Sequence, residues 1–338
     1  PLLSGRAMSR YCCMLLLLTI AAFDSTAAEK DDPIGRELRS ILIDDQNAQD
    51  RVDELIASNN AFKAEGAGLS DAIMATKVRQ IIDPVREQYI AFLQRNPKHV
   101  RAHLALASFL QEFGDRENSK SHLDTALTLA PNDPVALNNL GNFHGEFGPP
   151  EKAFEYYQRA SKAAPKQSMY YRNLASVMII HPLESQSYFR IADKQGVLRR
   201  GIDLFKKAVS LNPDDFLLQS TLAQTYYQMR PFPYQEATNA WERALVLAGT
   251  RIEKEGVMIH LARIHIKEKN YDAARINLNG VKVEFMLDLK KELMAKIPKK
   301  MSPVSFSTST AGPGLFNLST SPPPGASGIR KQSPPKKR

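Results

Sequence analysis

Cysteine is nearly missing from this chain: Cys12 and Cys13, side by side, are the two in 338 residues. That excludes a disulfide framework and any four-cysteine zinc site. The apolar excess of a multispanning membrane protein is missing too, as is the apolar poverty of a disordered chain, with 43% hydrophobic and 24% charged residues. Signatures of chemistry are also lacking. There is no phosphate-cradling glycine loop, no nucleophile elbow and no paired zinc-histidine helix motif. His260 and His265 stand five apart on one predicted helix and diverge, while His99 follows Pro97 at a turn and does not share a helix face with His103. His144 and His265 occupy a slot that Leu110, Met178 and Tyr226 fill elsewhere, which makes them packing residues. Asp44-Asp45 and Asp214-Asp215 are expected at helix starts, where carboxylates offset unpaired N–H groups. The expectation is no enzyme: no catalytic residue, no metal site and no cofactor.

The formal net charge of +9 is unevenly placed. Residues 290–338 carry ten Lys/Arg against Glu292 alone, and residues 1–28 carry Arg6 and Arg10 against Asp24. Together these exceed the whole surplus, so residues 29–289 fall one charge short of neutral. From 299 to 338 acidic residues are absent and 22 of 40 positions are Pro, Ser, Thr or Gly, so this stretch is expected to be a disordered basic tail. It ends Lys336-Lys337-Arg338 with no aromatic neighbour, which argues for attraction to an anionic surface and against specific nucleic-acid recognition. At the other end Arg6 and Arg10 precede the apolar run Cys12–Phe23, followed by Ser25-Thr26-Ala27-Ala28. A basic start, a short apolar stretch and small residues read as a signal peptide over 1–28, with Met8 as the start and cleavage after Ala27 or Ala28; an uncleaved anchor is the alternative. The expected location is the periplasm, the envelope or outside the cell.

What fills the middle is repetition. Ala107, Ser119, Ala126 and Pro131 recur 34 residues later as Gly141, Ala153, Ala160 and Pro165. A third unit begins with Ala175 and resumes at Gly201, Ala208 and Pro213 after 14 inserted residues. Ala223, Ala237 and Ala244 mark a fourth unit, Ala262 and Ala274 a fifth, and Pro97 closes a half unit in front. A leucine precedes each first small residue: Leu106, Leu140, Leu174, Leu222, Leu261. Four positions after each second small residue comes Leu123, Tyr157, Phe205, Trp241 or Leu278. Small side chains let paired helices approach, bulky ones fill the ridges beside them, and proline ends the second helix.

This small-large-small-proline pattern resembles the tetratricopeptide repeat (TPR) family, over about residues 83–281, with Ala136–Pro165 the closest match. The resemblance implies an all-α fold: a right-handed superhelical solenoid of antiparallel helix pairs, with helical caps and the disordered C-terminal tail. The expected domains are the signal peptide, an N-terminal helical cap at 29–82, the solenoid at 83–281 with an insertion at 181–199, a capping helix at 282–298 and the tail. In the first cap, a helix carrying Ala48, Val52, Leu55, Ile56 and Phe62 is expected to start at Asp44 or Asp45, Ser70 to cap a second helix, and Asp83-Pro84 to open the half unit. Met286, Leu289, Leu293 and Ile297 form the stripe of the last helix.

The resemblance also implies a non-catalytic scaffold whose first helices line a groove for a protein or peptide client. Facing positions are Arg101, Leu104, Ser108 and Gln111, then Val135, Asn138, Asn142 and Glu146, then Met169, Arg172, Ser176 and Ile179, then Leu217, Ser220, Gln224 and Tyr227. Asn139 and Asn173 repeat in phase, so each can present an amide to a peptide backbone or serve the fold itself. The candidate groove residues are therefore Asn139, Asn142, Asn173, Arg172, Gln224 and Tyr227. Leu104 and Met169 stand where basic residues of a carboxylate clamp belong, which argues against that mode. Alternatives are an accessory subunit of an envelope enzyme or assembly complex, and polyanion binding through the tail.

Overall fold

A computed structural model describes residues 32–298, so the apolar N-terminal segment and the basic tail lie outside the described residues. The described residues fold into helices without a strand. In order these are α1 (Pro33–Ala64), α2 (Asp71–Arg95), α3 (Val100–Glu112), α4 (Arg116–Leu129), α5 (Pro134–Phe147), α6 (Pro150–Ala163) and α7 (Ser168–Ile180). Then come α8 (Pro182–Phe189), α9 (Lys194–Leu211), α10 (Phe216–Thr225), α11 (Tyr234–Leu247), α12 (Arg251–Lys267), α13 (Tyr271–Gly280) and α14 (Leu287–Ala295), with short 3-10 turns at Tyr226–Gln228 and Glu284–Met286.

The pairs are α3/α4, α5/α6, α7/α9, α10/α11 and α12/α13, and each second helix also packs on the first helix of the next pair. Every repeated small alanine, and Ser119, is fully buried. Gly141 shows why: a Cβ there would lie 2.6 Å from Cε1 of Tyr157, inside any real contact. The bulky partners Leu123, Tyr157, Phe205, Trp241 and Leu278 are buried against those gaps. Helices α2, α4, α6 and α9 end at Arg95, Leu129, Ala163 and Leu211, each just ahead of its proline. The insertion in the third unit becomes α8, which folds back on α6 and α7: Tyr188 and Phe189 meet Phe154, and the Ser185 hydroxyl donates to the Met178 carbonyl at 3.0 Å.

Two expected helix starts are corrected. Helix α1 begins eleven residues before Asp44, at an Asp32-Pro33 start where the Asp32 carboxylate accepts from the N–H groups of Ile34 and Gly35. Leu38 and Ile41 extend its buried stripe, and Asp45 sits inside the helix, accepting a 2.7 Å bond from the Tyr89 hydroxyl. Asp83-Pro84 lies within α2 and starts nothing. Met74, Ile82, Val85, Tyr89 and Phe92 are buried on both sides of Pro84, and that continuous apolar contact offsets the one helical bond a proline removes. Ser70 does cap α2, accepting from the Ile73 N–H.

Candidate functional site

The first helices stand side by side, α3 beside α5 and α5 beside α7. Helices begin where the chain supplies a cap: Asp133 accepts from Val135 and Ala136 N–H ahead of α5, and Asp215 from Leu218 N–H ahead of α10. Asp214 is instead paired with Arg243 at 3.0 Å.

Four of the six candidate residues gather between α5 and α7. The Asn173 amide donates to Oδ1 of Asn138 at 2.9 Å and to Oδ1 of Asn142 at 3.4 Å. Asn142 Oδ1 also accepts from the Tyr157 hydroxyl at 2.7 Å, and Asn173 Oδ1 accepts from Arg172 Nε at 3.3 Å. Asn139 is buried, with its Oδ1 taking the Asn138 amide at 3.4 Å. These amides are turned toward one another and tie adjacent first helices together. Leu104 and Asn138, expected on the open face, are both buried; Leu104 packs with Leu140 and Phe143 because the leucine fills the seam between α3 and α5.

Gln224 and Tyr227 lie elsewhere, in a cleft of about 450 Å³ formed by the end of α10, by α12 and by α14. His260, Arg263, Ile266 and Lys267 line one wall, and Leu289, Glu292, Leu293 and Lys296 the other. Gln224 is exposed and Tyr227 half-buried. The Tyr227 hydroxyl stands 3.2 Å from Nδ1 of His260, and that imidazole stacks on Trp241 with 4.1 Å between ring centroids. Burial, opposed by the Arg263 charge, pushes the Tyr227 phenol up to about 12. Burial, reinforced by Arg263, pulls His260 down to about 4, so its ring is neutral near pH 7. Lys267 Nζ lies 5.2 Å from the Phe232 ring centroid, and Phe232 stacks on Tyr227.

Helix α14 is held at the cleft by polar anchors as well as by its stripe. Glu255 of α12 accepts from the backbone N–H of Lys282 and Val283. Its loss of solvent works against ionisation, yet Arg251 and those two N–H groups hold the carboxylate at about 2. Lys290 Nζ donates to the Val281 carbonyl at 2.8 Å, while Met286, Leu289, Leu293 and Ile297 pack with Ile259, Ala262 and Leu278.

His260, Arg263 and Lys267 are absent from the sequence-based candidate set, which stops at the fourth unit. The register contains the signal: the residue after each first small position is Ser108, Asn142, Ser176 and Gln224, and its fifth member is Arg263. Among the described residues no group of three or more His, Cys, Asp or Glu is placed to hold a metal ion. No described helix is long and apolar enough to cross a membrane.

A sequence profile of the tetratricopeptide repeat matches residues 100–133, the first full unit. No curated protein sequence matches the chain. Among solved structures, PilF of Pseudomonas aeruginosa superposes with a TM-score of 0.50 at 18% identity, covering 74% of this chain and 99% of that one. YrrB, a TPR protein with an unusual peptide-binding site, gives a TM-score of 0.47 at 15% identity over 61% of this chain and 98% of its own. The profile match, the phased buried alanines and the paired helices agree: residues 100–133 are a tetratricopeptide repeat, and the described residues have the fold of a tetratricopeptide-repeat solenoid.

Proposed function

We propose that this chain is a non-catalytic scaffold that holds a peptide segment of a client protein along its first helices, anchored in the cleft between α10, α12 and α14. The observation that carries the reading is the cleft itself. It joins the last two repeats to the capping helix, and side chains of first-helix register supply one wall. The asparagine cluster contributes by fixing α5 against α7, which keeps the face aligned; the Asn173 amide is spent on Asn138 and Asn142, so it is not the anchor.

A photo-crosslinking residue placed at Gln224 should form an adduct with the client in extracts of the source cell. The same residue at Val246, exposed on the second helix α11, should not. Equal adducts at both positions, or adducts at Val246 alone, would move the binding surface off the first helices. The reading includes export, supported by the basic-apolar-small order of residues 1–28. Amino-terminal sequencing of native protein should then find Ala28 or Glu29 first.

A further inference from the structure

We infer that the cleft selects acidic peptide segments, binding a glutamate or aspartate side chain on Arg263 with a neighbouring apolar side chain laid against Tyr227, Ile266 and Leu289. This deepens the scaffold reading and rests on it. Arg263 is half-buried at the cleft wall, and among the described residues it has neither a hydrogen bond nor an ion pair. A guanidinium partly withdrawn from water and left unpaired is costly unless an anion arrives, and a carboxylate meets its fork with two parallel bonds. Glu292 is in the same cleft, and Lys296 with a smaller share from Arg263 lowers its carboxyl, but its ion pair at 2.6 Å is to Lys296 and leaves the Arg263 fork without a bonded carboxylate. Lys267 at the rim faces aromatic rings and no carboxylate, so the lining carries three cations against one anion.

Apart from Gln224, the rest of the cleft is apolar or aromatic, which suits alternate side chains of an extended segment on one face. Residues 299–338 of this chain do not fit that description, because they hold seven Lys/Arg and no acidic residue. A nucleic acid is not favoured either: residues 29–289 fall one charge short of neutral, so that stretch offers a phosphate backbone no net attraction.

The chain supplies its own reporter, since Trp241 is its single tryptophan and stacks on His260 at the cleft wall. The test uses three heptapeptides with acetylated and amidated ends: Ser-Glu-Ser-Leu-Ser-Glu-Ser, and the same sequence with Gln or with Lys in place of Glu. Binding anywhere is followed by anisotropy of a fluorescein label, and occupancy of the cleft by Trp241 emission of the full chain. The Glu peptide should bind at least tenfold tighter than the Gln peptide and shift Trp241 emission, and the Lys peptide should not bind. Arg263→Gln should reduce the Glu peptide to the Gln level with an unchanged circular dichroism spectrum, and Lys267→Gln, at the exposed rim, should cost about half as much in logarithmic terms. Equal binding of Glu and Gln peptides with a Trp241 shift overturns acidic selection and leaves peptide binding intact. Anisotropy without a Trp241 shift also overturns it, placing the peptide elsewhere on the scaffold. No binding by any of the three peptides overturns the selection and counts against the scaffold reading as well.

Discussion

The imidazole of His260 lies parallel to the indole of Trp241, with 5° between the planes and 4.1 Å between centroids. The stack joins the first helix of the fifth unit to the second helix of the fourth, so the wall of the cleft is continuous with the seam between repeats. The pairing is made by a neutral ring, since burial and the nearby Arg263 hold His260 at about 4 against an ordinary value of 6.5.

That difference sets a pH dependence. The unfolded chain takes up the proton near pH 6.5 and the folded chain only near 4, so the unfolded state binds more protons between those values. The stability contribution is complete above pH 6.5 and is lost as pH falls toward 4, by no more than about 3 kcal/mol. Burial lowers His99, His122 and His144 as well, and each acts in the same direction. The urea midpoint should fall between pH 7 and pH 4.5, and His260→Phe, which retains a ring against Trp241, should make the fall smaller. An equal fall in the variant would assign the acid sensitivity to other groups.

Gly141→Ala tests the close approach of α5 and α6. The added methyl would meet the Tyr157 ring at 2.6 Å, and that ring cannot swing away without breaking its 2.7 Å bond to Asn142. The cost should be about 1–3 kcal/mol. Because each repeat touches only its neighbours, hydrogen exchange should quicken in α4 to α7 and stay unchanged in α12 and α13. A uniform loss of protection would mean that the solenoid unfolds as one unit.

The repeat register was legible because it rests on local rules: small residues where backbones approach, bulk beside them, proline after the second helix. The small and the bulky positions are all buried where the phase requires, and the prolines stand exposed just past their helices. The helix starts at Asp44 and Asp83 misled for a different reason. An aspartate is a cap only if the chain enters a helix there, and at both places the buried stripe already runs through. Asn139 and Asn173 read equally well as ladder or as fold support, since periodicity gives the helix and not the neighbour across the seam. Arg263 was within reach of the register, but α14, which makes it part of a cleft, follows a broken repeat and has no counterpart in the other units.

Tyr89 and Asp45 are a second buried polar relationship, far from the cleft. Tyr89 is fully buried and its hydroxyl donates to a carboxylate that also accepts from the Gln49 amide at 2.8 Å. Burial raises the Asp45 carboxyl despite these bonds, so its charge opposes folding at neutral pH and the opposition is relieved as pH falls toward the acid range. Tyr89→Phe removes a donor from that desolvated carboxylate and should cost about 1–3 kcal/mol in chemical denaturation. Asp45→Asn retains an acceptor for the tyrosine without the charge and should leave stability level or higher. Loss in the asparagine variant equal to that of Tyr89→Phe would show that the charge itself contributes to holding α1 on α2.

The amide cluster between α5 and α7 separates a structural role from a binding one. Asn173 donates to both Asn138 and Asn142, and Asn138 is almost wholly buried. Asn173→Ala leaves the Asn138 carbonyl oxygen buried with its donor gone, a loss of about 1–3 kcal/mol. Asn173→Asp is sharper. A carboxylate has no N–H to give, so it sets an oxygen against two acceptor oxygens and adds a charge in the seam; it should cost more than alanine. Because the cleft is built from α10, α12 and α14, neither change should alter Trp241 emission or peptide affinity measured below the melting transition. Melting temperatures in the order wild type, alanine, aspartate, with affinity unchanged, would place these asparagines in the frame of the solenoid. A tenfold loss of affinity in a fully folded Asn173→Ala protein would instead make the seam between α5 and α7 part of the binding surface.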